Sequence, residues 1–252
     1  MDVRGVDTTG RFNERSRDYA QFRPSYAAAA VDAVLEGLAP PEELTIVDIG
    51  AGTGIATQLL KARGAQVIGV EPNEQMRAQA LALGCDVRLG NASATGLPNA
   101  CADVVTAFQA FHWFCTPEAL REFRRVIRPH GRLAAVWNFF DRSDAFTDEF
   151  CRLYERYGDT RHIAGLGIDE SRVRAFVREH GFGEFRKTAA GYEQFVDFDG
   201  MLGRLRSSGS MPRDGAAYEA LAAHARRLYD RFAQHDRVTL VQKSAAFVTE
   251  TA

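Results

Sequence analysis

Two periods of apolar spacing take turns along the chain. "LTIVDI" (residues 44–49) is a continuous, largely β-branched run of buried-strand length, and "IATQLLKAR" after it spaces apolar side chains at helical intervals. The couplet then repeats. "AQVIGVEPN" predicts a second strand over residues 66–71, and "EQMRAQALAL" a helix that Asn73 caps and Gly84 ends. "DVRLG" reads as a short third strand, the loop "NASATGLPNACADVV" leads into a fourth over residues 103–108, and "TPEALREFRRVIRPHGRLAAVWN" supplies a helix, a Pro-His-Gly turn and a fifth strand. "SRVRAFVREHGFGEF" carries a further helix into a sixth strand, and "RVTLVQKSAAFVTE" closes the chain with another. Such alternation predicts an α/β fold with a mostly parallel sheet.

One stretch breaks the alternation. Residues 198–234 read as mostly helical, with "RSSGSMPRDGAA" (residues 206–217) as a loop between helices. An insertion over the ligand edge of a sheet forms a cap. Its stripe of Tyr218, Leu221, Ala222, Ala225, Leu228, Tyr229 and Phe232 has helical spacing. Core packing is the default use of such a stripe, and lining a substrate pocket the alternative.

A length of 252 residues suits one domain with a substantial insertion, and 46% apolar with 25% charged residues is the balance of a globular protein. The N-terminal "MDVRGVDTTGRFNERSRDY" lacks the apolar core of a signal peptide and no stretch is long enough to span a bilayer, so a cytoplasmic protein is expected. A net charge of −2 gives no global lever on nucleic acid or a membrane surface. Cys85, Cys101, Cys115 and Cys151 stand apart, with no metal-ligand spacing, which predicts buried, reduced thiols and no metal.

The chemistry concentrates where the first strand meets its helix. Gly50, Gly52 and Gly54 alternate behind Asp48 at the strand's carboxyl end, where parallel sheets bind ligands and where a missing Cβ lets a ligand approach the backbone. A tight turn without ligand is the bland alternative. A dinucleotide fingerprint would need a third glycine at position 55, which is isoleucine. Glu71 ends the second strand about one βαβ step later; it is either an exposed loop glutamate or an acceptor-only clamp for two ribose hydroxyls. Met76 lies either in the core or against an adenine.

The pattern D-x-G-x-G-x-G over residues 48–54 resembles the first motif of class I, Rossmann-like S-adenosylmethionine (SAM)-dependent methyltransferases. "GNASATGLP" resembles the same group's adenine loop, with Asn91 where aspartate is commoner. "AFHWF", the following helix and "RVIRPHG" resemble small-molecule enzymes of the trans-aconitate methyltransferase type, with His130 where glycine is usual. "FNERSRDYAQFRPSY" (residues 12–26) is similar to that group's entry segment. The likeness covers residues 12–138 well and thins beyond 140.

That resemblance implies a seven-stranded, mostly parallel sheet with helices on both faces and a helical cap between the last two strands. The core would span residues 40–140, 170–197 and 238–250, with a lid over 8–30 and a cap over 198–237. It implies SAM as cofactor, S-adenosylhomocysteine (SAH) as product and no metal. The cofactor residues would be Tyr19, Arg23, Asp48, Gly50, Ala51, Gly52, Glu71, Pro72, Met76, Asn91, Ala92 and Gln109. Asn91 would meet the adenine amino group, the Ala92 N–H a ring nitrogen, and Arg23 the methionine carboxylate. Tyr19 and Arg23 are otherwise a packing tyrosine and a surface arginine, and Asn91 an ordinary turn residue.

His112, just past the fourth strand, is the catalytic candidate, either as general base or as a neutral ring that positions the acceptor. A small-molecule acceptor is expected, on a monomer or homodimer. RNA or protein as acceptor, and a non-catalytic SAM-binding module, remain the competing functions. An NAD-dependent oxidoreductase is disfavoured by Ile55.

Overall fold

Thr45–Ile49 forms β1, buried on both faces as a β-branched run in the middle of a sheet must be. It pairs in parallel with β2 (Gln66–Val70) on one side and β4 (Ala102–Phe108) on the other. Beyond β2 lies β3 (Asp86–Arg88), and beyond β4 lies β5 (Ile127–Phe140), both parallel to their neighbours. The closing strand β7 (Val238–Glu250) runs antiparallel between β5 and β6 (Arg186–Val196), giving the order β3-β2-β1-β4-β5-β7-β6. This computed structural model describes residues 24–158 and 170–251. The sheet is the expected one.

Helices cover both faces. On one, α1 (Ala28–Leu35) and α2 (Ile55–Lys61) bring Val31, Val34 and Leu60 onto Val104, Val136 and Ala246. On the other, α4 (Pro117–Val126) and α6 (Glu170–Glu179) bring Leu120, Phe123 and Val177 onto Val105, Leu133 and Phe247. The remaining core helix, α3 (Glu74–Ala82), starts as expected at Asn73, whose side chain accepts from the Met76 N–H at 2.9 Å. The part of the expected lid that is described, residues 24–30, runs into α1, where Ala30 is completely buried.

The chain leaves β1 through β2 to β3, then returns to the opposite side of β1 for β4. That reversal opens a crevice at the strands' carboxyl ends, between the loops after β1 and β4.

The end of the sheet carries a separate core. β5 continues to Phe140, whereas the last residue of β4, Phe108, pairs with Val136. The overhang is braced by β7 and β6, and on it pack α5 (Ala145–Tyr157), α7 (Phe198–Arg206) and α8 (Gly215–Phe232) through Phe150, Leu153, Met201, Leu205, Leu221 and Leu228. The helical segment between β6 and β7 is thus present, with α5 as an unforeseen third member. Leu221, Ala225, Leu228 and Tyr229 of the α8 stripe are buried in this core, so packing is their role.

His130 adopts φ +64° at the turn into the main part of β5, so it takes a glycine-like conformation at an exposed position. The turn keeps the usual shape at a cost. His130→Gly should therefore raise stability by about 0.5–1 kcal/mol in denaturant unfolding: relief of a left-handed penalty of about 1–2 kcal/mol, less the roughly 0.5–1 kcal/mol of extra backbone entropy that glycine loses on folding. Its neighbour Gly131 is fixed for another reason: a Cβ there would lie 2.7 Å from the Asp103 carbonyl oxygen.

Candidate functional site

The three glycines behind β1 all have positive φ, of +71°, +58° and +87° for Gly50, Gly52 and Gly54, yet they face different surroundings. A Cβ on Gly50 would meet the Ala110 Cβ at 2.8 Å, and one on Gly54 the Cys85 Sγ at 3.0 Å. These two are glycines because the chain packs tightly there. A Cβ on Gly52 would meet nothing closer than the Gly50 carbonyl oxygen and Met76 Sδ, both at 3.9 Å. Gly52 thus has space over it, with a thioether at its side.

Below the turn, Asp48 is buried and accepts one hydrogen bond on each oxygen. Its carboxylate oxygens accept from the Thr57 hydroxyl at 2.8 Å and the Thr106 hydroxyl at 3.0 Å, tying β1 to α2 and β4. Burial lifts its pKa to about 6 despite those bonds. Asp48 therefore supports the turn from beneath, with one lone pair left on each oxygen.

Glu71 follows β2 and bends toward the turn. Its Oε2 accepts from the Gly52 N–H at 2.9 Å and its Oε1 from the Asn73 N–H at 2.8 Å. Each oxygen keeps a further lone pair. Burial raises the Glu71 pKa, while the bonds from Asn73 and Gly52 pull it back. Three more of the turn's N–H groups are engaged: Gly50 and Ala51 both donate to the Val70 carbonyl, at 2.8 and 3.2 Å, and Gly54 donates to the Ala51 carbonyl at 2.9 Å. A pyrophosphate would want those donors free, whereas a nucleoside without phosphates needs only space and the carboxylate.

The remaining residues of the set line up unequally. Met76 is buried with its sulfur beside Gly52, and Ala51 is buried against Ala80 and Val87. Pro72 is exposed and brings no polar side chain. Asn91 is exposed, and its Oδ1 accepts from the Ser93 N–H at 2.9 Å, so it closes its own turn and retains one lone pair. The Ala92 N–H has no protein acceptor among the described residues. The loop is anchored by Glu122 of α4, which accepts from the Thr95 N–H at 2.8 Å and its hydroxyl at 2.5 Å, with Arg125 holding its pKa down near 2. No motif announced that anchor. Tyr19 and Arg23 lie outside the described residues.

The fourth strand ends in strained backbone. Gln109 has φ +51° and its side-chain amide donates to the Asn138 carbonyl at 3.2 Å. Asn138 in turn donates to the Ser25 carbonyl at 2.8 Å and accepts from the Ser244 hydroxyl, and the Ala27 N–H donates to that hydroxyl. The end of β4 is thereby joined to β5, β7 and the start of α1, a linkage between distant segments that spacing does not reveal. His112 follows in a short turn, Phe111–Trp113. Its Nδ1 accepts from the Trp137 indole N–H at 3.3 Å, and its ring lies 4.8 Å from that of Trp113.

Burial drops the His112 pKa from 6.5 to about 4. A histidine kept neutral in the fold contributes stability above its unfolded pKa, and the contribution is lost as pH falls from about 6.5 towards 4. Asp48 acts in the opposite sense: with a raised pKa, its contribution is present below its unfolded value and lost as pH rises through about 6. Comparison with His112→Gln cancels the Asp48 effect. Wild type should lose about 2 kcal/mol more than the variant between pH 7.5 and 4.5, measured by urea unfolding. Equal losses would mean that the ring is solvated enough to charge in the fold.

A β1–β4 switch point, a glycine turn with room above Gly52 and a buried carboxylate at the end of β2 define an α/β protein of the Rossmann-like methyltransferase architecture. Residues 47–135 match the model of a methyltransferase domain. An uncharacterized methyltransferase-like protein of Schizosaccharomyces pombe is 30% identical over 175 residues, 68% of this chain and 67% of that relative. An uncharacterized methyltransferase of Mycobacterium bovis is 37% identical over 148 residues, which span 56% of this chain and 57% of that protein. Among solved structures, a candidate type II methyltransferase from Anaeromyxobacter dehalogenans superposes with a TM-score of 0.61 at 26% identity, over 91% of this chain and 97% of that one. The chain belongs to the class I SAM-dependent methyltransferases.

Proposed function

We propose that this protein transfers the methyl group of SAM to a small-molecule acceptor by in-line displacement and releases SAH. The observation that carries it is the Gly52–Glu71 pair: open space over a left-handed glycine, bordered by Met76 Sδ and a buried carboxylate with lone pairs to spare. The cofactor supplies a methyl already activated on a sulfonium centre, so the protein's work is alignment and exclusion of water. Glu71 would accept the two ribose hydroxyls, Met76 would lie along the adenine, and the Ala92 N–H would donate to a ring nitrogen. His112 would orient the acceptor as a neutral ring, because a histidine titrating near pH 4 is a weak proton acceptor at neutral pH.

The acceptor would sit beside the overhanging cap of α5, α7 and α8, whose helices pack on the extension of β5 past the end of β4 and would narrow the approach to the strands' carboxyl ends. Tyr19 and Arg23 would close over the cofactor from the entry segment. A cytoplasmic setting accords with four free cysteines, and no helix among the described residues is long and apolar enough to cross a membrane. A monomer or homodimer working without nucleic acid or membrane completes the proposal.

The test is calorimetric titration with SAM and SAH, followed by transfer of labelled methyl to panels of small acids, amines, phenols and thiols, with RNA and protein panels alongside. Binding with turnover on a small molecule supports the proposal. Turnover confined to RNA or protein overturns the acceptor class, and binding without turnover on any panel points to a non-catalytic module.

A further inference from the structure

We propose that Trp137 is a positioning residue: its indole N–H holds His112 as the tautomer protonated on Nε2, so the site offers the acceptor a fixed hydrogen-bond donor. The acceptor should then carry a lone-pair oxygen, such as a carbonyl or carboxylate, next to the atom that is methylated. This rests on the proposed methyl transfer only for its consequence for the acceptor. The tautomer itself follows from the fold.

An indole nitrogen can donate but not accept, so the 3.3 Å contact requires a lone pair on His112 Nδ1. A neutral imidazole has one N–H, which must then be on Nε2. Nothing in the surroundings lets Trp137 turn away. It is 3% exposed, in the middle of β5 opposite Ala245, and is clamped edge-on between Phe111 at 6.2 Å and Phe247 at 5.5 Å. The His112 ring is held in turn against Trp113, on a short turn whose Trp113 N–H donates to the Ala110 carbonyl. His112 Nε2 makes no hydrogen bond among the described residues, so its proton is available to a ligand. Facing such a donor, an ammonium or another donor-only group would leave both partners unpaired, which is the strongest form of discrimination a polar site can exert.

Nitrogen NMR of the full chain labelled at histidine reads the tautomer without cofactor, acceptor or turnover. At pH 7 the His112 signals should show protonation on Nε2, and Trp137→Phe should shift them towards a mixed population. A wild-type ring protonated on Nδ1 or on both nitrogens, or signals unmoved in Trp137→Phe, would overturn the assignment. Should Trp137→Phe fail to fold, His112→Phe gives the reciprocal reading: the Trp137 indole proton should move upfield and exchange with water at least 10-fold faster. An unchanged indole signal would equally overturn it. In the acceptor panels, turnover restricted to acceptors without a lone-pair oxygen beside the methylated atom, such as simple alkylamines or alkylthiols, would sink the specificity claim and leave methyl transfer itself standing. A complete lack of turnover with the expected NMR result would strike the proposed activity instead.

Discussion

Glu71→Ala should weaken SAM binding by about 2–4 kcal/mol, roughly 30- to 1000-fold, since on the proposed placement it would remove two charge-assisted hydrogen bonds to the ribose. Isothermal calorimetry at neutral pH gives the number directly. The structure adds a second consequence, because the same carboxylate holds the Gly52 and Asn73 N–H groups. Some of the loss will therefore come from a loosened turn. Glu71→Gln separates the two: its amide oxygen can still brace one N–H while the charge is gone, so it should lie between wild type and alanine. Acidification should weaken wild-type binding too, at a higher pH than for an ordinary glutamate, since burial raises this pKa. Unchanged affinity in Glu71→Ala would remove the ribose from this position and with it the placement of the cofactor.

The second large effect concerns the cap. Phe150 is completely buried and packs its ring against Phe140, Phe146 and Tyr154 at 5.6, 6.2 and 5.5 Å. Phe150→Ala should cost about 3–5 kcal/mol in the stability of that core, as truncation of a buried aromatic leaves a cavity that rigid neighbours fill poorly. Glycine turn, Glu71 and the two sheet-facing cores do not share that cluster. The variant should therefore show rapid hydrogen exchange in α5, α7 and α8 with protection retained in β1 and β4. SAM affinity should stay within about threefold while turnover falls by at least tenfold. Simultaneous loss of protection in the central strands would show that cap and sheet unfold as one unit, and normal turnover would show that the cap does not shape the acceptor site.

Much of this architecture was written locally. Strands β1, β2 and β4 are short apolar runs that must be buried on both faces, and Asn73 and Gly84 mark the ends of α3 by their own backbone chemistry. The glycine spacing behind Asp48 and the single βαβ step to Glu71 are likewise local, so the turn and its carboxylate were readable in the chain. His130 was legible as an anomaly, though only its φ of +64° shows that it keeps the glycine conformation.

What the chain by itself determined, then, was the order of elements, the glycine turn and the residue types at the candidate site. Tertiary structure decided how those residues are used, because partners far apart in sequence compete for each polar group. Asp48 proved to tie the turn to α2 and β4 through the hydroxyls of Thr57 and Thr106. Asn91 turned its acceptor onto Ser93, and Glu122 secured the loop after it from a helix 27 residues away. The α8 stripe proved to be core because α5, from before β6, packs against it. His112 stood open between two roles in the sequence; the donor that fixes its proton comes from Trp137, 25 residues further on in the neighbouring strand. Spacing along a chain reports backbone conformation, whereas the protonation and reach of a buried side chain depend on what the fold places against it.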